Sequence, residues 1–238
     1  MSHIAAIVPA AGLGTRMGAE TPKQFLELDG VPLLVFTLRR LAESPQLSEF
    51  LVAVRAEDVA AVEQLLAQES LGRLVRVVCG GETRQASVAS ALEQVPGEAE
   101  LVLVHDAVRP LVTREQVERV IAEARVCGAA ILGVPAVDTI KEVRRTSLPE
   151  DVALITATIP RERIVLAQTP QVFRTALLQE AFARARQDGF IGSDEAVLVE
   201  RLGYEVHVVL GSERNLKITR RADMELARFY LELERAGK

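Results

Sequence analysis

The stretch IAAIVPAAGLGTRMGAETPK, Ile4 to Lys23, decides how the chain is read. Its first five residues, Ile4 to Val8, form a short apolar run bounded by Pro9 and glycines, the pattern of a strand buried on both faces of a parallel sheet. Chain leaving such a strand lies at its carboxyl end, where open α/β sheets bind ligands. Here it carries Gly12, Gly14 and Gly18, which permit close backbone approach, with Arg16 and Lys23 as the only positive charges among them. A phosphate-bearing ligand suits that combination. Two familiar phosphate loops do not fit it. A dinucleotide fingerprint needs glycine where Met17 stands, and the next strand-like run, Phe50 to Val54, is followed by Arg55 instead of an acid. A P-loop needs Gly-Lys-Ser/Thr, whereas Lys23 lies between Pro22 and Gln24.

Outward from the loop, strand and helix signals alternate. Leu33, Phe36, Thr37 and Leu41 give one helix a buried stripe, Phe50 to Val54 is a second strand, Asp58 to Gln68 a helix, and Val75 to Val78 a third strand. Gln85 to Leu92 is helical, Leu101 to His105 is a fourth strand, and Thr113 with Gln116 forms a capping box for the helix to Val126. Ala130 to Val134 is a fifth strand. Beyond Pro135 the pattern becomes a hairpin: Val137 to Val143 and part of Val152 to Ile159 alternate apolar with polar around a polar turn. Ile164 to Ala167 leads into Gln168-Thr169-Pro170-Gln171, and a helix follows from Thr175 to Arg186. Ser193 is expected to cap the next helix, with Asp194 and Glu195 favoured in its first turn by the dipole. Glu205 to Leu210 is a last strand before a final helix with Met224, Ala227 and Leu231 at helical spacing.

The prediction is an α/β fold: a Rossmann-like, mostly parallel sheet flanked by helices, a single domain over residues 1–238, with a protruding β-hairpin arm at 137–160. A lone hairpin is marginal in water, so the arm is expected to pair with a second subunit; the alternative is an arm folded onto its own domain.

The 238 residues suffice for a large core. A net charge of -5 without blocks of like charge argues against nucleic-acid or anionic-membrane partners. Cys79 and Cys127 are too few and too far apart for a disulfide framework or a zinc motif, and suit a reduced cytoplasm. No Lys or Arg precedes Ile4 and the run breaks at Pro9, unlike a signal peptide; the longest apolar stretch, near Ala129 to Val137, is too short to span a bilayer. His3, His105 and His207 show no catalytic arrangement.

Pro9 to Met17 followed by Pro22-Lys23-Gln24 resembles the nucleotidyltransferase signature P-A-A-G-x-G-x-R-M with P-K-Q, at which a nucleoside triphosphate meets a phosphorylated partner. Gly80-Gly81 with Arg84, Ser87 and Val88 matches G-G-x-x-R-x-x-S-V, by which cytidylyltransferases of that superfamily read cytosine; Ala86 stands where they commonly have Asp. His105 to Pro110 matches H-D-A-x-R-P, Thr169-Pro170-Gln171 matches T-P-Q, and Lys217 falls within G-x-x-x-N-x-K-[IV]-T. Taken in order, these motifs resemble the 2-C-methyl-D-erythritol 4-phosphate cytidylyltransferase family. Read by its residues alone, Asp106 is also a turn acid paired with Arg109.

The resemblance implies CTP and a polyol phosphate as substrates, Mg²⁺ as cofactor, and a homodimer built through the arm. Arg16 and Lys23 would stabilise charge on the α-phosphate, and Ala10, Gly81 and Ser87 would hold cytosine. Ala11, Gly12 and Gly14 would line the loop, while Asp106 with Ala107 would face the ribose and the metal. Thr139, Arg109, Arg161, Thr169 and Lys217 would position the polyol phosphate; the catalytic set is Arg16, Lys23, Arg161 and Lys217. The same class includes enzymes for ribitol 5-phosphate, and a catalytically silent nucleotide-binding regulator is the rival from another class. The silent reading predicts gaps in the basic set, and Arg16, Lys23 and Lys217 are all present.

Overall fold

A computed structural model describes residues 3–12, 22–144 and 152–237. Strand β1 (His3–Pro9) is enclosed on both faces because its side chains alternate between two cores. Ile4, Ala6 and Val8 join one core, Ala5 and Ile7 the other. After the short hairpin β2 (Glu27–Leu28) and β3 (Val31–Pro32), helix α1 (Leu33–Ala42) precedes β4 (Glu49–Val54). α2 (Val59–Ala67), β5 (Leu74–Cys79), α3 (Arg84–Leu92) and β6 (Ala99–Val104) follow in βαβ order. Helix α4 (Arg114–Cys127) starts at the predicted Thr113–Gln116 capping box and ends at Gly128, whose φ of 92° suits a residue without a side chain. β7 (Ala129–Pro135), β8 (Ile140–Arg144), β9 (Leu154–Ile159), β10 (Val165–Arg174), α5 (Thr175–Asp188), α6 (Glu195–Glu200), β11 (His207–Leu210) and α7 (Arg221–Arg235) complete the order.

Seven strands form one sheet in the order β11-β7-β10-β6-β1-β4-β5. All neighbours are parallel except β10, which runs antiparallel to both β6 and β7. Helices α1, α2 and α4 contribute to one core, and α3, α5 and α6 to the other. A third cluster packs α7 through Met224, Ala227 and Leu231 against Leu28, Leu33, Val108 and Leu111. From β1 the chain builds outward through β4 to β5, then returns to place β6 on the other side of β1. That reversal leaves a crevice outside the carboxyl ends of β1 and β6, where such sheets bind ligands. Among the described residues, no helix is long and apolar enough to cross a membrane.

Two sequence expectations need correction. Ile164 to Ala167, expected only to lead into Gln168-Thr169-Pro170-Gln171, is from Val165 onward continuous with it as β10, in the middle of the sheet. Proline removes a ladder donor and argues against a central strand. The chain accommodates it with a register shift between Gln168 and Gln171. The cap of α6 is Asp194, which accepts from the Val197 amide at 3.1 Å, and not Ser193. Glu195 then turns inward and is almost fully buried.

The hairpin expected at 137–160 is present in its described part as the two-stranded sheet β8/β9; its turn, 145–151, lies outside the described residues. It continues the β7/β10 ladder, since Pro135 pairs with Val165 and the Ala136 amide donates to the Ile164 carbonyl at 3.0 Å.

Candidate active site

The crevice holds a pocket of about 240 Å³, assembled from four connections: Pro9 to Gly12 after β1, Gly81 to Arg84 after β5, Asp106 to Val108 after β6, and Lys217 after β11. Lys23 and Gln24 complete its wall.

The first connection is held at its root. The Ala10 amide donates to the Ala53 carbonyl at 2.7 Å, and the Ala10 carbonyl accepts from Gln24 Nε2, also at 2.7 Å. Gln24 is buried in the short turn Lys23–Phe25, so pinning it carries its neighbour Lys23 to the pocket. Ala11 and Gly12 line the wall as expected. Gly14 and Arg16 lie outside the described residues.

The second connection requires its glycines. A Cβ on Gly81 would lie 2.5 Å from Ala86 Cβ, and one on Gly80 2.8 Å from Ser87 Oγ. Thr83 caps α3 by accepting from the Ala86 amide at 3.0 Å. Ser87 is buried: its hydroxyl accepts from the Gly81 amide at 3.2 Å and lies 2.9 Å from the Thr83 carbonyl, to which it donates. Its hydroxyl therefore folds the turn, and the turn's backbone forms the wall.

Asp106 is the electrostatic centre. Its Oδ1 accepts from Arg84 Nε at 3.1 Å, and its Oδ2 from Lys217 Nζ at 2.9 Å and Arg109 Nε at 3.3 Å. Burial alone would raise the Asp106 pKa, but Arg84, Lys217 and Arg109 hold it far below the usual carboxylate range. Arg84 also grips Glu195 with both terminal nitrogens. Burial pushes the Glu195 carboxyl up against the pull of Arg84, while the Glu195 and Asp106 charges outweigh burial at Arg84 and raise its pKa.

Beneath Asp106 sits a closed hydrogen-bond chain. The Asp106 amide donates to Thr169 Oγ1 at 3.0 Å, and Thr169 Oγ1 lies 3.0 Å from His105 Nδ1. His105 Nε2 lies 3.1 Å from the Arg109 carbonyl, an acceptor. Nε2 must therefore carry the imidazole proton while Nδ1 accepts from the Thr169 hydroxyl. Burial lowers the His105 pKa to about 4, so a neutral, fully occupied ring supports the segment and no acid-base role falls to it. Thr37 adds a buried bond to the Ala107 carbonyl at 2.9 Å, fixing the pocket side of the same segment.

Several expected polyol-phosphate residues stand elsewhere. Arg109 is buried, held by Asp106 and by the Asn215 carbonyl at 2.8 Å, so the Asp106–Arg109 turn pair exists. Thr169 is also buried, at the β10 bulge, where it supports Asp106 and does not line the wall. Thr139 and Arg161 are exposed at the root of the hairpin, away from the pocket wall of their own chain, and Arg161 hydrogen-bonds the Val137 carbonyl. Lys217 reaches the pocket as expected.

The structure adds Gln24, Arg84, Glu195 and Asn215, none of which the sequence reading placed in the site. Asn215 is fully buried, and its Nδ2 donates to the Thr169 carbonyl at 2.9 Å. Arg84 and Asn215 lie within the quoted motifs, so the motifs were the available signal; the partners they choose were not legible in spacing.

Asp106 does not fit as a ligand of a protein-held Mg²⁺. Magnesium takes a near-ideal octahedron of oxygens. Both Asp106 oxygens already meet cationic groups, and Glu82 is the other carboxylate on the described pocket wall. A divalent ion there would face three positive side chains.

The sequence profile described as IspD, 2-C-methyl-D-erythritol 4-phosphate cytidylyltransferase, matches residues 4–233. A protein of that name from Solibacter usitatus is 52% identical over 240 residues, covering 98% of this chain and 97% of that one. One from Acidobacterium capsulatum is 54% identical over 231 residues, covering 94% and 95%. The crystal structure of the enzyme so named from Thermus thermophilus superposes with a TM-score of 0.76 at 40% identity, covering 95% of this chain and 97% of that one. The chain belongs to the 2-C-methyl-D-erythritol 4-phosphate cytidylyltransferase family.

Proposed function

We propose that the protein transfers CMP from CTP to 2-C-methyl-D-erythritol 4-phosphate, giving 4-diphosphocytidyl-2-C-methyl-D-erythritol and pyrophosphate in the non-mevalonate isoprenoid precursor pathway. The observation that carries this reading is the convergence of Lys23, Lys217 and the Gly81 turn on one pocket at the sheet's reversal point. An oxygen of the polyol phosphate attacks the α-phosphorus; the new P–O bond forms as the α–β bridging bond breaks and pyrophosphate leaves with the electron pair. Because the nucleophile is already an anion, no general base is needed. The enzyme's task is to hold two anions in line and neutralise them. Lys23 and Arg16 take the charge developing on the α-phosphate, and the Gly81 turn takes cytosine. Lys217 is held by ionised Asp106 and offers its remaining donors to phosphate. Mg²⁺ would supply counter-charge to the triphosphate; Asp106, committed to Arg84, Arg109 and Lys217, would not hold it.

The active form is a homodimer joined through the arm, with Arg161 and Thr139 serving the partner's pocket. Val143, Leu154 and Ile155 stand about half exposed on the two arm strands, which supports a covering partner. The cytoplasm suits the two free thiols.

The test is pyrophosphate release with Mg²⁺, each of four nucleoside triphosphates, and a panel of polyol phosphates. Turnover with CTP and the methylerythritol phosphate, well above UTP and above ribitol 5-phosphate, is expected. Equal use of UTP refutes the cytosine assignment, and preference for ribitol 5-phosphate moves the protein to the neighbouring substrate class.

A further inference from the structure

On the outer face of the sheet edge, away from the pocket, Glu123, Cys127 and His207 bring one carboxylate oxygen, one thiol and one imidazole nitrogen within 4.8 Å of one another. Glu123 and Cys127 lie four residues apart near the end of α4, hence on one helix face. His207 is the first residue of β11, whose parallel register on β7 sets it beside that face. His207 Nδ1 lies 2.7 Å from Glu123 Oε1, and Cys127 Sγ is 3.1 Å from the carbonyls of Glu123 and Ala129. None of the three lines the pocket.

We propose that Glu123, Cys127 and His207 form a site for Zn²⁺ or a similar borderline transition-metal ion, which ties the edge strand β11 to α4. The donor set is the first argument. One thiolate, one imidazole and one carboxylate suit Zn²⁺, whereas Mg²⁺ and Ca²⁺ require oxygen. Geometry is the second. Tetrahedral Zn²⁺ with ordinary bond lengths separates nitrogen from oxygen by about 3.3 Å and sulfur from either by about 3.6 Å. The three atoms stand within 4.8 Å of one another, so closing on an ion calls for shifts on the order of an ångström. Partial exposure of all three side chains leaves a fourth position for water. Binding releases the Cys127 thiol proton, while the proton of a neutral His207 ring moves to Nε2 and frees Nδ1 for the metal.

The placement supplies a role. β11 has four residues, pairs only with β7 among the described residues, and exposes Val208 and Leu210. An edge strand so short is the element most in need of a second anchor. Its continuation delivers Asn215 to Thr169 and Arg109 beneath the pocket and Lys217 to the pocket wall, so a tether at His207 holds the start of the segment that ends there.

The experiment uses the purified full chain stripped with chelator and titrated with Co²⁺, whose thiolate complexes absorb in the near ultraviolet. One equivalent with a sulfur-to-cobalt band, displaced by Zn²⁺, is expected. Cys127→Ser should abolish the band, Cys79→Ser should retain it, and His207→Ala or Glu123→Gln should weaken binding at least tenfold. Zn²⁺ in hundredfold excess over its Kd should raise the wild-type Tm by about 5 °C or more and leave His207→Ala unmoved. Should Cys127→Ser not fold, the His207→Ala titration decides. Absence of a stoichiometric band, its loss in Cys79→Ser with retention in Cys127→Ser, or unchanged affinity in His207→Ala overturns the site and leaves a plain His–Glu pair. CTP turnover is a separate measurement and does not enter this outcome.

Discussion

Arg84 and Glu195 meet through two parallel hydrogen bonds, Nη1 to Oε1 at 2.7 Å and Nη2 to Oε2 at 2.9 Å, although 111 residues separate them in the chain. The same guanidinium reaches Asp106, so the start of α3, the start of α6 and the segment after β6 are fixed to one planar group. Removing one partner of a buried pair strands the other's charge. Glu195→Ala is therefore expected to lower the unfolding free energy by about 3–5 kcal/mol in urea denaturation, and Arg84→Met/Glu195→Leu to recover much of that loss. A loss under about 1 kcal/mol for Glu195→Ala would mean that the pair behaves like an exposed one.

If the Gly81 turn holds cytosine as proposed, Gly81→Ala is expected to raise the KM for CTP by tenfold or more, because its Cβ would stand 2.5 Å from that of Ala86 and push the turn outward. The nearest obstacle is the Ala86 methyl, with the Ala86 backbone carbon next at 3.2 Å, so Gly81→Ala/Ala86→Gly should recover part of the affinity. Steady-state kinetics of both variants decide it. Equal KM values in the two would show that the backbone, not Ala86, sets the limit.

Stability should depend on pH through His105. Its folded pKa is about 4 against 6.5 in the unfolded chain, chiefly because of burial, so between those values the unfolded chain binds the extra proton. Stability from this group is complete above pH 6.5 and declines as pH falls toward 4, by about 3 kcal/mol in total. His105→Gln should remove that component while the carboxylates keep theirs. Chemical denaturation of both proteins at several pH values measures the difference, and parallel profiles would show that His105 titrates normally.

A shared site predicts complementation between chains. Lys23→Ala should lower kcat about a hundredfold with the fold intact, as loss of a charge-stabilising donor does. If Arg161 serves the partner's pocket, co-expressed Arg161→Ala and Lys23→Ala chains give a heterodimer with one doubly damaged site and one intact site. Its activity should approach that of one wild-type site. A purified heterodimer as inactive as its parents would place Arg161 in its own chain's chemistry.

Elements whose evidence is local were legible. The buried runs of β1 and β4 and the capping box of α4 are set by neighbours within a few residues, and the structure reproduces each; of the predicted α1 stripe it buries Leu33, Thr37 and Leu41, leaves Phe36 half-buried, and adds Leu34, Val35 and Leu38. β10 was not, because Thr169-Pro170 speaks locally against a central strand and only the bulge reconciles the two. Ser193 and Asp194 are both competent caps. The choice between them is a one-residue phase settled at distance, by Gln171 Nε2 donating to Asp194 Oδ2 at 2.9 Å. In the site, Ala10, Ala11, Gly12, Gly81, Lys23 and Lys217 were found through their motifs and reach the pocket. What motifs do not encode is which charge meets which: Asp106 gathers Arg84, Arg109 and Lys217 from three separate connections.

Because β10 lies antiparallel between β6 and β7, the middle of the sheet is completed by residues 165–174, after the strands that carry the glycine loop. A chain leaving the ribosome N-terminus first can pair β1, β4, β5 and β6 through successive βαβ units, yet one side of β6 stays open until β10 emerges. During that interval the nascent chain presents an unpaired apolar strand edge, the kind of surface that other chains add to and chaperones cover. Thr169 then closes under Asp106 in the same event that seals the edge, and Asn215 and Lys217 follow. The inserted strand therefore couples the end of aggregation risk during translation to the assembly of a competent pocket.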